Sequence, residues 1–531
     1  MIHSVPVAAP MDFWCPFWCL NRSHSLPSGI TTGSFESLVC RWFHQSSRGS
    51  PVQSFGLSRR QHGFKSRWGR HHLLYGFSWG TQWSPIPLPR TQVNRSKAFP
   101  SPVPVEAAPV SERTPPPRAW RPGPVLWAAL AVILWLGART LLRGNSPLID
   151  EGQHQRIIQD FVSGRWRLPD ELPMLPSFHV LAAGLEWAMG PSLLVGRIFS
   201  VCMALLGFAA FGLLVRRVRA SRWPDSFQLY AYHPLLFPLT AMVYTDQTAV
   251  TFLVLVFLAH ASRRFGWAAV ALAMAAVLRQ TNLVWVIVLV AWSMGQPRSE
   301  TPMSGRRSKI RAALTSIAPL WWYGVVVLAA VVLVGTTGRL TAGAVPLNQP
   351  AFNINQYYVL LLFVLVLWAP VFVERAPGDF CALVQWSTER PAVAAGVGVI
   401  LATTIAFLFI RYSNPHPWNH VAGLARNWPL RLMDRFVVAR PLLLLICAWS
   451  AYQTVRFTLG RSNRAILAAI WGGGLLSLSV LGLVEPRYYV PMLLLADLFN
   501  DYEPRHAAWL VRWYQCASAA ACALSLTGRF W

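Results

Sequence analysis

The sequence predicts an all-α, polytopic membrane protein, and three observations carry that expectation. Of its 531 residues, 54% are hydrophobic and 13% are charged, about half the ~25% charge of an ordinary soluble domain. Mean hydropathy is +0.38. The apolar residues gather in runs close to the ~20 residues that carry a helix across a hydrocarbon core, and arginine-bearing segments separate many of the runs. Such a composition excludes a disordered polar chain, a coiled coil and a typical cytosolic enzyme.

The chain divides near residue 122. Residues 1–122 are rich in Ser, Pro, Arg, Trp and His, lack a sustained apolar run, and pass into a Pro-rich linker at 100–124. The opening MIHSVPVAAPMDFWCPFWC is broken by Pro, Asp and Cys and does not read as a signal-peptide core. Residues 1–122 are therefore expected to be a disordered or spurious extension, and 123–531 the multi-spanning domain. Sequons at Asn21 and Asn94 carry little weight, and the eight cysteines are scattered without a recurring CxxC pair.

The apolar runs follow in order. The first, 123–142, opens onto a polar loop, 143–195, that carries an acidic pair. Within that loop 174–190 holds Pro176, His179 and Glu186, which fits an interfacial helix better than a span. Run 196–215 ends on Arg216, Arg217 and Arg219. Runs 226–243 and 247–262 flank Tyr244-Thr245-Asp246, and Arg263-Arg264 closes the second of them. Runs 265–278 and 281–296 flank Arg279-Gln280-Thr281-Asn282 and lead to a basic segment, 297–311, with Arg306, Arg307 and Lys309. Runs 314–335, 356–373, 393–410 and 438–456 precede the basic stretch Arg456 to Arg464, and 465–484, 487–500 and 507–527 complete the chain. Because several are short, the expected total is about 11–13 transmembrane helices. No internal repeat is visible.

The charge sets the orientation. Lys and Arg number 47 against 21 acids, a net +26. The first 122 residues hold 14 basic and 4 acidic side chains, the rest 33 and 17. With residue 122 cytoplasmic, alternate crossing places all four basic clusters on one side, as the positive-inside rule requires. The opposite face receives 143–195, Tyr244 to Asp246, Arg279 to Asn282, 336–355, 411–436 and Glu485 to Arg487. A site on the external face follows, and nucleic acid is not the expected partner.

Five places there can carry chemistry. Asp150-Glu151 can accept a proton from a hydroxyl or bind a cation; equally, the pair can start a helix. His154 lies four residues after Asp150, on the same helical face. Asp246 can act or can cap the following helix. Arg279, with Gln280, Asn282 and Trp285 after it, offers a planar fork for phosphate or sugar; the alternative is a snorkelling arginine. The 411–436 loop joins His416, His420, Arg426, Trp418 and Trp428, a mixture suited to phosphate and sugar or to an aromatic belt. Arg487, followed by Tyr488, needs an anionic partner at its depth.

The order of these pieces resembles a known family. IDEGQH (149–154), FPLTAMVYTDQTA (237–249), LRQTNLVWVI (278–287) and VEPRYYVPMLL (484–494) are similar to the dolichyl-phosphate-glucose-dependent alpha-1,2-glucosyltransferases of the membrane class GT-C. The resemblance covers about 125–500. It departs at Ala344, where the family has an Asp, and at Gly423 to Trp428, where the family has an Ala-Asp-Asn-Arg-His-Tyr run. A divergent member, bacterial or from the endoplasmic reticulum membrane, is therefore expected.

The resemblance implies a GT-C bundle and inverting transfer of a hexose, glucose in alpha-1,2 linkage, from a polyprenyl- or dolichyl-phosphate donor. The acceptor would be a lipid-linked or other external-face glycan. Asp150 would be the general base, with Glu151 in reserve. Arg279 and Arg487 would hold the lipid phosphate, His154 and Asp246 would position substrate, and Trp285 and Trp428 would stack on sugar. No cofactor is expected; a divalent ion at Asp150, Glu151 and His154 is the lesser reading. The rivals are a mannose or pentose transferase of the same class and a flippase or transporter, the last disfavoured by the absence of a repeat.

Overall fold

The computed structural model describes residues 123–144, 146–148, 150–166, 174–295, 318–338, 351–410, 412–414, 416–421, 427–459, 461 and 463–528. The N-terminal extension with its sequons, the basic segment 297–311, Ala344 and Arg426 lie outside the described residues.

Among the described residues the fold is all-helical, with seventeen α-helices and no strand. Four helices are long and apolar enough to cross a membrane. They are α1 (Gly123–Arg143), α4 (Leu193–Val218), α9 (Trp321–Thr337, with its leading turn) and α12 (Pro391–Ile410). A bent pair, α10 (Asn355–Leu367) and α11 (Ala369–Glu389), forms a fifth at most. The external-loop helices are α2 (Glu151–Val162) and α3 (Ser177–Met189), the latter too short to span, as the sequence implied. Shorter apolar helices fill the centre: α5 (Trp223–Ala231), α6 (Thr245–Ala261), α7 (Phe265–Leu278), α8 (Val286–Gly295), α15 (Arg464–Leu478) and α16 (Val490–Phe499). Of the rest, α13 (Trp428–Arg435) is short, whereas α14 (Ala439–Leu459) and α17 (Pro504–Leu526) are long but more polar.

The difference from 11–13 regular spans has a physical cause. Proline and irregular turns cut many runs, and side chains satisfy the backbone groups so released, which membrane-embedded chain requires. α5 stops ahead of Pro234, and the Tyr232 carbonyl accepts from Ser518 Oγ at 2.6 Å. A 3-10 turn follows over Phe237–Ala241, with the Pro238 carbonyl held by the Trp135 indole at 3.1 Å. Pro370 lies at the start of α11, where the chain turns by 91°. It cannot donate to the Val366 carbonyl four residues back; the Trp513 indole does so instead, at 2.8 Å.

A further irregular stretch joins α15 to α16. Gln356 Nε2 donates to the Leu481 and Leu483 carbonyls at 3.0 and 2.6 Å, and Asn353 Nδ2 donates to Gly482 at 2.6 Å. Asn419 Oδ1 accepts from the Val484 amide at 3.2 Å. This strap, anchored by the first turn of α10, delivers Glu485 and Arg487.

The two ends of the bundle differ chemically. At one end Arg219 donates to the Phe499 and Asn500 carbonyls and pairs with Asp501. There also His260 joins Ser293 and Tyr323, at 3.2 and 2.9 Å. Connectivity brings Arg263, Arg264, Arg461 and Arg464 to this same end. The acidic pair and its companions lie at the other.

Candidate active site

The two adjacent carboxylates have opposite environments. Asp150 is the N-cap of α2, yet its side chain makes no capping bond and is 34% exposed. One residue further the helix has turned by ~100°, so Glu151 points into the protein and is fully buried. Its Oε2 accepts from Arg139 Nη2 at 2.5 Å, Arg197 Nη2 at 3.1 Å and the Leu148 amide at 3.1 Å. Its Oε1 accepts from Arg197 Nε and from the Val243 amide, each at 3.1 Å. Arg197 also donates to the carbonyls of Gly144 and Ser146. Every lone pair of Glu151 is engaged, so this carboxylate fixes structure and leaves Asp150 as the accessible one.

Asp246 is not a cap, contrary to one sequence reading. The N-cap of α6 is Tyr244, and Asp246 falls in the first turn. Its Oδ1 is 2.6 Å from Arg279 Nη2, and its Oδ2 is 3.6 Å from Arg487 Nη1. Arg279 follows α7 at the C-cap and turns inward to this pair, so the snorkelling alternative also fails. Arg487 is the hub: it is 92% buried, pairs with Glu485, and lies 3.6 Å from Asp150 Oδ2. Aromatic rings complete the walls. Tyr488 lies beneath Arg279 at 5.1 Å and Arg487 at 5.9 Å, and Tyr244 faces Arg487 at 5.2 Å.

His154 stands beside this group. Its Nδ1 is 2.9 Å from His179 Nε2, and its ring meets Tyr244 edge-on at 5.4 Å. Burial above all, then His179, Arg487 and Arg279, pushes its pKa well below the usual histidine value. Burial lowers His179 to about 4. Both rings are therefore neutral at physiological pH. The metal trio does not assemble, because Glu151 is committed to arginines and His154 to His179. Among the described residues no group of three ligating side chains could hold an ion.

The remaining sequence candidates divide. Asn282 is buried and donates to the Ala275 carbonyl at 3.0 Å, closing the end of α7. Trp285 is 2% exposed inside the main core, so the expected sugar stacking is unavailable to it. Gln280 keeps a buried Nε2 with no hydrogen-bond partner. His416 is buried next to Gly482 of the strap, whereas Trp418 and Trp428 are exposed. Their loop is organised by Asp434, which accepts from Tyr412 Oη at 2.9 Å and Asn414 Nδ2 at 3.1 Å, with His420 at 3.3 Å.

The structure thus unites Asp150, His154, Asp246, Arg279, Arg487 and Tyr488, and adds Tyr244, His179, Glu485, Arg139 and Arg197. The last two were legible in principle: an arginine inside an apolar run requires a buried counter-charge. Counted together, Arg139, Arg197, Arg279 and Arg487 balance Asp150, Glu151, Asp246 and Glu485.

No curated protein matches the chain. The family model described as the DIE2/ALG10 family matches residues 144–498, which takes in every residue of the cluster except Arg139. Well over half of the sequence is covered, and the chain therefore belongs to the DIE2/ALG10 family of membrane glycosyltransferases, which act in lipid-linked oligosaccharide synthesis.

Proposed function

We propose that the protein transfers a hexose, glucose in alpha-1,2 linkage, from a polyprenyl- or dolichyl-phosphate donor to a lipid-linked glycan at the external or luminal membrane face. One observation carries the assignment of the base: Asp150 is partly exposed, makes no capping bond, and lies 3.6 Å from the buried hub Arg487. In the reaction the acceptor hydroxyl oxygen bonds to the sugar C1 with inversion. The C1–O bond to phosphate breaks, and the hydroxyl proton passes to Asp150. The phosphodiester donor leaves as a monoester with one more negative charge, while Asp150 loses one. Total charge in the balanced cluster is then conserved through the step, which suits a site of low dielectric.

Arg279 and Arg487 fit the role of phosphate ligands because their planar forks can share a carboxylate and a phosphate. Tyr488 beneath them restricts their swing. Gln280, with its unpartnered donor, would meet donor or acceptor, and exposed Trp428 would contact the acceptor glycan. Residues 1–122 are not needed in this reading. The host membrane is that of the endoplasmic reticulum or of a bacterial cell.

The test is transfer by the purified full chain in detergent, from synthetic polyprenyl-phosphate glucose and, separately, mannose. Glucose should be used in preference. Asp150→Asn should lose turnover by ~10²–10⁴-fold, the usual contribution of a positioned base, while the protein stays folded. Full activity in that variant would remove Asp150 from the mechanism. Failure to transfer from any lipid-phosphate sugar would refute the reading altogether.

A further inference from the structure

A polar cavity lies at the basic end of the bundle, away from the candidate active site. It encloses about 390 Å³ between the start of α11, the end of α14, the turn after it and the start of α17. Four arginines line it: Arg375, Arg456, Arg461 and Arg505. Helix α11 creates the recess. Turned by 91° from α10, it crosses the end of the bundle instead of continuing through it, and so presents Arg375 towards α14 and α17.

The local charge is only partly neutralised. Arg375 and Arg456 share one buried carboxylate, Asp379, at 3.6 and 3.4 Å. Arg505 pairs with Glu374 at 2.7 Å and Glu503 at 3.3 Å. Arg461 makes no ion pair among the described residues; its guanidinium rests over the Phe457 ring at 4.5 Å, with Arg375 also over that ring at 5.2 Å. Counting Arg219, which pairs with Asp501 near Arg461, five guanidiniums therefore face four carboxylates. His506 adds a further buried group: it is 3% exposed, its Nε2 is 2.6 Å from Glu374, and its Nδ1 has no hydrogen-bond partner. A buried ring under two guanidiniums, an arginine without an ion pair and an imidazole nitrogen without a hydrogen-bond partner form a recess suited to a phosphate group.

We propose that this cavity binds the phosphate headgroup of an anionic membrane phospholipid. A basic recess between helices at the end of a membrane bundle lies at the depth of lipid phosphates, where each arginine gains ~1 kcal/mol from an anionic surface. Arg461, unpaired and stacked, is the principal ligand; Arg375 and Arg456 are secondary because Asp379 holds them already. A soluble phosphate would use the same donors but would not be held at the membrane surface, where lipid phosphates are concentrated.

Native mass spectrometry of the full chain, delipidated in detergent, tests this. Phosphatidylglycerol and phosphatidylcholine of identical acyl chains are added at equal concentration, and inorganic phosphate is the competitor. Phosphatidylglycerol should be retained preferentially. Arg461→Gln, which sacrifices no ion pair, should weaken retention about fivefold, the equivalent of ~1 kcal/mol, and Arg461→Glu should weaken it further. Arg456→Gln provides an independent variant in the same direction. Arg264→Gln, exposed at the same end but outside the cavity, should bind as the wild type does. Equal retention of the two lipids, or unchanged binding in folded Arg461 variants, would overturn the proposal. Displacement by millimolar inorganic phosphate would assign the cavity to a soluble ligand and overturn the lipid assignment.

Discussion

Asp150 and Glu151 are neighbours in sequence, and their substitution should have opposite consequences. Consider Glu151→Gln. The carboxylate is fully buried and takes three guanidinium and two backbone hydrogen bonds. The amide keeps one acceptor oxygen but turns an NH2 group towards Arg139, Arg197 or the Val243 amide, all donors. Two buried guanidiniums then stand together without a counter-charge. Removing one partner of a buried ion pair costs ~3–5 kcal/mol, a large part of the ~5–15 kcal/mol that holds a typical fold. Asp150→Asn, by contrast, removes a one-third-exposed carboxylate 3.6 Å from its partner, an interaction worth at most ~1 kcal/mol. Thermal unfolding of both variants in detergent, followed by tryptophan fluorescence and gel filtration, reads the difference. Glu151→Gln should melt far below the wild type and Asp150→Asn near it. Adding Arg139→Met to Glu151→Gln should recover part of the loss by removing one stranded charge. A Glu151→Gln protein that melts like the wild type would refute the assignment of Glu151 as a structural anchor.

Acidification should destabilise the external-face helices. Burial depresses His179 to about 4 and holds His154 well below its ordinary value, so between pH 6.5 and about 4 the unfolded chain binds protons that the native one refuses. Stability is then complete above pH 6.5 and falls as pH drops through that window, by ~3 kcal/mol for His179 alone; His179→Gln should flatten the melting-temperature profile there. Arg487→Lys should lower kcat by ~10²–10³-fold, the cost of losing one donor that stabilises developing charge, because an ammonium cannot reach several anions as a planar fork does; steady-state transfer with a polyprenyl-phosphate sugar measures it. The two tryptophans should separate cleanly. Trp285→Ala should cost ~3–5 kcal/mol of stability as a core cavity, whereas Trp428→Ala, at an exposed position, should leave the melting temperature unchanged and raise the KM for acceptor.

Much of the site was legible in the sequence because charge is so scarce in an apolar chain. Asp150, Asp246, Arg279 and Arg487 stand out at the ends of hydrophobic runs, and the structure gathers them in one place. Spacing could not separate Asp150 from Glu151; that distinction depends on where α2 begins and which way its first side chain turns. Arg139 and Arg197 lay hidden within runs read as spans. Trp285 was misjudged because its position in the Arg-Gln-Thr-Asn segment says nothing of the direction of a 3-10 turn. The irregularity of the runs was hidden for a related reason: hydropathy measures the composition of a run, whereas Pro234, Pro238 and Pro370 help decide whether the run is one straight helix.

The bonds from Glu151 to the Leu148 and Val243 amides have a further meaning. A single carboxylate clasps two segments that are 95 residues apart in the chain, one leading to Asp150 and the other to Asp246. The spacing of Asp150 and Asp246 is thereby written as chain length between fixed points: from Arg143 to Glu151, and from Val243 to Asp246. Residue types within those short connections can drift with little effect on geometry. Insertion or loss of one residue should instead displace Asp150 or Asp246 from the clasp.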